Sequence, residues 1–128
     1  MSPASRKTGR RQALFLLYQW DLTGQELASL FEGEPDDFAR ALAEAVVARA
    51  EDLDRRITEV SREWPADRLG TLERNILRIG VYELEEGTVP REVAINEAVV
   101  LAKRYASEDA ARLVNGILGQ VAREVEAA

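Results

Sequence analysis

Four bases stand close together near the start of the chain: Arg6, Lys7, Arg10 and Arg11. No acid interrupts them, so residues 1–11 carry a net charge of +4, while the remainder, with 13 bases and 23 acids, carries −10. Ammonium and guanidinium groups at this density neutralise phosphates, and such asymmetry marks a basic arm for a polyanion; a solvated surface segment has the same composition. On a helix, at about 100° per residue, the four fall within an arc of about 140°. Tyr18 lies on the side of Lys7 and Arg11, two to three turns on, where its ring can stack a base or pack in the core. Positive charge at a helix N-terminus opposes the macrodipole by about 0.3–1 kcal/mol per site. Helix stability therefore does not account for the cluster, whereas an anionic partner does.

A second constellation lies near the other end. Arg112, Asn115, Gly116, Gly119 and Arg123 share the side of a helix opposite its apolar stripe. Two glycines there weaken the helix, so something comes close to its backbone, either an outside molecule or another part of the same chain. Asn115 can read a base edge or bond a neighbouring loop. Chemistry of other kinds is poorly provided for. The chain has no His and no Cys, which removes imidazole acid–base work, thiolate nucleophiles, thiolate metal sites and disulfides. Carboxylates are plentiful but fall on helix faces, where they are usually solvated or paired. Glu73 and Glu83 stand about three turns apart on one predicted helix, with nothing to bring them together as an acid–base pair. No enzyme and no cofactor is expected.

Helices must position these groups. Of the 128 residues, 46% are hydrophobic and 31% charged, enough for a core in one water-soluble domain. No apolar run approaches the roughly 20 residues of a membrane span, and the first residues do not read as a signal peptide, so a cytoplasmic location is expected. Gly24, the cluster Gly33-Glu34-Pro35, Pro65, Gly70, the stretch from Gly87 to Pro90, and Ser107 punctuate a pattern of helical period. The first helix is predicted over Ser5 to Leu22, apolar nearly all round and buried from Ala13 onward, with its first turns projecting. A short helix follows over Glu26 to Phe31. A long one runs from an Asp36 N-cap toward Trp64, with a kink near Glu51 allowed and Pro65 as its end. The helix over Leu69 to Glu86 is apolar on so many sides that it belongs at the centre of a bundle. Gly80 within it lets a neighbour approach. Pro90 opens a helix to Tyr105, and Ser107-Glu108-Asp109 starts the last. The expected fold is all-α, a compact bundle of six or seven helices. Only Thr88-Val89 has room to extend locally.

Several segments resemble one known family. Leu69-Gly70-Thr71-Leu72-Glu73-Arg74-Asn75-Ile76-Leu77-Arg78-Ile79-Gly80-Val81-Tyr82-Glu83-Leu84 resembles the signature of the NusB family of transcription antitermination factors. So do Val89-Pro90-Arg91-Glu92-Val93-Ala94-Ile95-Asn96-Glu97-Ala98, Leu101-Ala102-Lys103-Arg104-Tyr105 and Ser107-Glu108-Asp109-Ala110-Ala111-Arg112-Leu113-Val114-Asn115-Gly116-Ile117-Leu118. Arg10-Arg11-Gln12-Ala13-Leu14 and Leu17-Tyr18-Gln19-Trp20 are similar to that family's first helix. Only the middle, about Gly24 to Trp64, is generic.

The resemblance implies an all-helical fold of two subdomains, about 1–64 and 65–128, and binding to the single-stranded boxA element of nascent RNA, particularly in ribosomal RNA leaders. It implies a protein partner, NusE, a small-subunit ribosomal protein that doubles as a transcription factor. It further implies loading onto elongating RNA polymerase with other Nus factors, and suppression of termination. The implied RNA contacts are Arg6, Lys7, Arg10, Arg11 and Tyr18, joined by Asp109, Arg112 and Asn115. The implied NusE surface surrounds Glu73, Arg74 and Tyr82. Family members often carry an aromatic where this chain has Leu113, a position that also suits the core. Other uses remain open: a non-catalytic interaction scaffold, the RNA-targeting module of a ribosomal RNA methyltransferase, or a homodimer formed through the first helix.

Overall fold

The computed structural model describes residues 3–33, 36–61 and 66–127. Six α-helices account for most of them: α1 (Pro3–Thr23), α2 (Asp37–Ala48), α3 (Ala50–Val60), α4 (Thr71–Glu86), α5 (Arg91–Tyr105) and α6 (Glu108–Ala127). Two 3-10 turns, Leu27–Leu30 and Ala66–Arg68, lie between them. There is no strand among the described residues, and Thr88 and Val89 belong to the loop before α5. The all-α expectation holds. No helix among the described residues is long and apolar enough to cross a membrane.

The chain forms two compact units, Met1–Arg49 and Ala50–Ala128. In the first, α1 packs on α2. Ala13, Leu14 and Leu17 of α1 and Ala39, Leu42, Ala43 and Val46 of α2 are buried. Burying each large aliphatic side chain contributes about 1.5–3 kcal/mol. Gly24 ends α1 in the left-handed region at φ 73°, where its N–H donates to the Trp20 carbonyl. Asp36 starts α2 as the sequence predicts, its carboxylate accepting from the Ala39 N–H at 3.1 Å.

In the second unit α4 is central and packs against α3, α5 and α6. Every residue from Asn75 to Val81 is buried. A Cβ on Gly80 would stand 2.5 Å from Leu118 Cδ1, so the missing side chain is what admits α6. A polar network joins α3 to α4. Arg78 donates to both carboxylate oxygens of Asp54 at 2.7 Å and to Asn75 Oδ1 at 2.9 Å, and Asn75 Nδ2 donates to the Thr71 carbonyl at 2.8 Å. Ser107 caps α6 through the Ala110 N–H at 3.0 Å. Pro90 is the N-cap of α5 rather than part of its first turn.

The expected long helix from Asp36 is two helices. The break falls at Arg49 (φ −114°, ψ 14°), just before the site where a kink was allowed. The apolar period runs on through it, from Leu42 and Val46 to Leu53 and Ile57, so nothing local marks the interruption. Tertiary partners do: α2 packs on α1, and α3 packs on α4 and α6. The division between units consequently lies at Arg49–Ala50, not near residue 65. Glu34, Pro35, Trp64 and Pro65, which the sequence marks as breakers and a helix end, lie outside the described residues.

Candidate nucleic-acid interface

The basic helix forms as predicted, but its four cations do not share one environment. Lys7 is exposed, and Arg6 and Arg11 are half-buried. Arg10 is buried at 3% exposure, with its guanidinium 5.6 Å from the centroid of the Phe38 ring. This corrects the expectation of a projecting basic turn. Arg10, Ala13, Leu14 and Leu17 have the i, i+3, i+4, i+7 spacing of a core stripe, and Arg10 continues that stripe one turn toward the N-terminus. A long aliphatic stem and a flat, weakly hydrated cation allow Arg to occupy such a place over an aromatic face.

Lys7, Arg11 and half-buried Tyr18 remain on one outward side, within about 40° of helical rotation. Phe15 is 40% exposed and Leu22 61% exposed beside them. The second half of α1 is therefore not buried all round: Ala13, Leu14 and Leu17 are inside, and Phe15 faces out. Its outward side runs from cations to an aromatic pair, Phe15 and Tyr18. Sequence reading missed Phe15. The signal was its place three residues from Tyr18 and four from Arg11, outside the core stripe. Phe15 and Leu16 also border a cleft of about 320 Å³ whose other wall includes Leu30 and Phe31.

On α6, Asp109, Arg112 and Asn115 are exposed on one side of the helix, with Gly116 among them. Asp109 and Arg112 form an ion pair one turn apart, their side chains 87% and 71% exposed. So exposed a pair contributes little to stability and leaves both groups available to a ligand. A Cβ on Gly116 would meet nothing within 4 Å, and one on Gly119 would meet only the Arg123 guanidinium, at 3.6 Å. Among the described residues, no other element packs on these glycines. Gly116 opens onto a groove of about 610 Å³ between the end of α3 and α6. Leu113, half-buried, lines this groove with Val60 and Ile117 rather than standing clear as a stacking platform.

Glu73, Arg74 and Tyr82 are all half-buried on α4. Arg74 donates to the carbonyls of Ala66 at 3.2 Å and Leu69 at 3.0 Å, tying the 3-10 turn to the helix. The Glu73 carboxylate lies against Gly70, where a Cβ would come within 2.2 Å of it. Glu73 and Tyr82 are nine residues apart, about 180° in helical rotation, so the three do not make a single patch on one side of α4.

The model of the NusB family matches residues 7–123. A transcription antitermination protein NusB of Heliobacterium modesticaldum is 40% identical over 97% of this chain, which spans 65% of that protein's length. Its counterpart in Rubrobacter xylanophilus is 42% identical, over 89% of this chain and 87% of that protein. Among solved structures, a crystal structure of the antitermination factors NusB and NusE in complex with dsRNA superposes with a TM-score of 0.85 at 30% identity, covering 96% of this chain and 99% of that one. The helical fold, the outward basic side of α1 and a match over nearly the whole sequence agree: the chain belongs to the NusB family.

Proposed function

We propose that this protein is a NusB-type transcription antitermination factor that binds the single-stranded boxA element of nascent RNA, as in ribosomal RNA leaders. It acts with NusE, and the pair joins elongating RNA polymerase and other Nus factors to suppress termination. The observation that carries the reading is the outward side of α1, where Lys7 and Arg11 lead into Phe15 and Tyr18. Cations that track a phosphate backbone and rings that stack unpaired bases are the usual means of holding single-stranded RNA. Arg6 adds charge at the same end. On α6, Asn115 and Asp109 offer hydrogen-bonding groups to base edges, and Arg112 offers a cation to phosphate. The NusE surface that the resemblance implies surrounds Glu73, Arg74 and Tyr82, which reach more than one side of α4. The role is non-catalytic and cytoplasmic. The solved relative that holds NusE and RNA together supports the pairing of partners.

Exposed Phe15 and Leu22 favour a second use of the same side, a homodimer through α1 that would occlude the RNA contacts. The test is a titration with a single-stranded boxA-like RNA, a scrambled strand and a duplex, with and without NusE, across a salt series. Tightest binding to the boxA-like strand, strengthened by NusE, is expected. Equal binding to all three RNAs would remove sequence-specific recognition, and no binding under any condition would favour an interaction scaffold. Competition between RNA binding and self-association would establish the homodimer as a closed form.

A further inference from the structure

Arg10 is the cation of the first helix that the resemblance counts among RNA contacts and the structure places inside. We infer that Arg10 is a positioning residue: seated on Phe38, it fixes the roll of α1 so that Lys7 and Arg11 face the RNA. The inference rests on the RNA reading of α1 given above.

Three observations in the first unit support it. Arg10 is 3% exposed and its guanidinium lies over the Phe38 ring at 5.6 Å. Gly9, the residue before it, is buried, and a Cβ there would stand 2.5 Å from Phe38 Cδ1 and 3.2 Å from Asp36 Oδ2. Asp36 in turn caps α2, accepting from the Ala39 N–H at 3.1 Å. The start of α2 is thus seated directly on the backbone of α1 at Gly9 and on the side chain at Arg10. This contact lies between Lys7 and Arg11. An α-helix turns about 100° per residue, so fixing positions 9 and 10 fixes the direction of their neighbours. A phosphate reaching Arg10 would have to displace it from Phe38, whereas Lys7 lies at the surface.

Counterion release separates a ligand from a positioning residue. Each cation that neutralises a phosphate of single-stranded RNA adds about 0.7 to the slope of log affinity against log salt. Fluorescence anisotropy of a single-stranded boxA-like RNA, across a salt series, is the measurement. Lys7→Ala and Arg11→Ala should each flatten the slope by about that amount. Arg10→Met should weaken binding and leave the slope unchanged. Gly9→Ala, which retains every charge but pushes Phe38 away, should do the same. Arg10→Met combined with Phe38→Ala should bind no more weakly than the worse single variant. Circular dichroism selects folded variants, and Gly9→Ala keeps the test open if Arg10→Met does not fold. A slope flattened by Arg10→Met as by Lys7→Ala would make Arg10 a ligand and overturn the inference. So would full affinity in folded Gly9→Ala, or additive losses in the double variant. Unchanged slopes in both Lys7→Ala and Arg11→Ala would instead strike the RNA reading of α1, and the inference with it.

Discussion

Alanine at Gly116 and at Gly80 makes the same chemical change in two helices of one unit, with opposite expected signs. Each substitution gains about 0.5–1 kcal/mol, because glycine loses more backbone entropy on entering a helix than alanine does. At Gly116 nothing opposes the gain, since the new Cβ meets no atom within 4 Å. At Gly80 the Cβ would stand 2.5 Å from Leu118 Cδ1 and 2.9 Å from Cδ2. Leu118 is 0% exposed and has no solvent to retreat into. Forcing a methyl group into a packed core costs about 1–3 kcal/mol. The net expectation is a stabilisation of about 0.5–1 kcal/mol for Gly116→Ala and a destabilisation of about 1 kcal/mol for Gly80→Ala. Urea unfolding measures both, with unchanged m values showing that the midpoints compare stabilities. Leu118→Val should relieve part of the Gly80→Ala loss, because the two changes share one contact. If Gly80→Ala stabilised the protein as Gly116→Ala does, the close approach of α4 and α6 would not depend on the missing side chain. RNA binding adds a second readout. Gly116→Ala should bind boxA-like RNA more weakly while being more stable, because the methyl group projects from the α6 side proposed to touch RNA. Unchanged affinity would remove Gly116 and its surroundings from that site.

Asp54→Ala should destabilise the fold by about 3 kcal/mol, at the low end for a broken buried pair because the Asp54 side chain is 32% exposed. The double variant Asp54→Leu with Arg78→Met should recover most of that loss in urea unfolding, and failure to recover would show that the pair specifies the packing of α3 on α4. Asp36→Ala and Ser107→Ala should each lose about 1 kcal/mol through their helix caps, with Asp36→Asn near neutral in thermal unfolding. Equal melting temperatures for Asp36→Ala and the parent would mean that the cap at α2 carries no weight. Tyr18→Leu should weaken RNA binding by about 1–3 kcal/mol without changing the salt slope, and Tyr18→Phe should retain most of the affinity. An equal loss in both would transfer the role of Tyr18 from ring stacking to its hydroxyl.

Much of this protein is legible in its sequence because local terms decide helix ends. Asp36 and Ser107 cap where their side chains reach a free N–H, and Gly24 and Gly87 stop helices at φ 73° and 66°. The apolar circumference of α4 predicts its central place, and Gly80 predicts a close neighbour. The basic first helix and the family signatures point to RNA before any coordinate is known. What the sequence by itself does not determine is which way a helix rolls and what covers it. The break at Arg49 carries no Pro or Gly, and the apolar period passes through it, so only the different partners of α2 and α3 reveal it. Gly80 and Gly116 each suggest a close approach on paper, yet one meets Leu118 and the other open space. The four bases read as one projecting cluster until tertiary packing separates them. Phe38 comes from a different helix, and its ring lies where Gly9 leaves room, so Arg10 is inside while Lys7 stays out. That assignment depends on a contact between residues distant in sequence, and no local propensity encodes it.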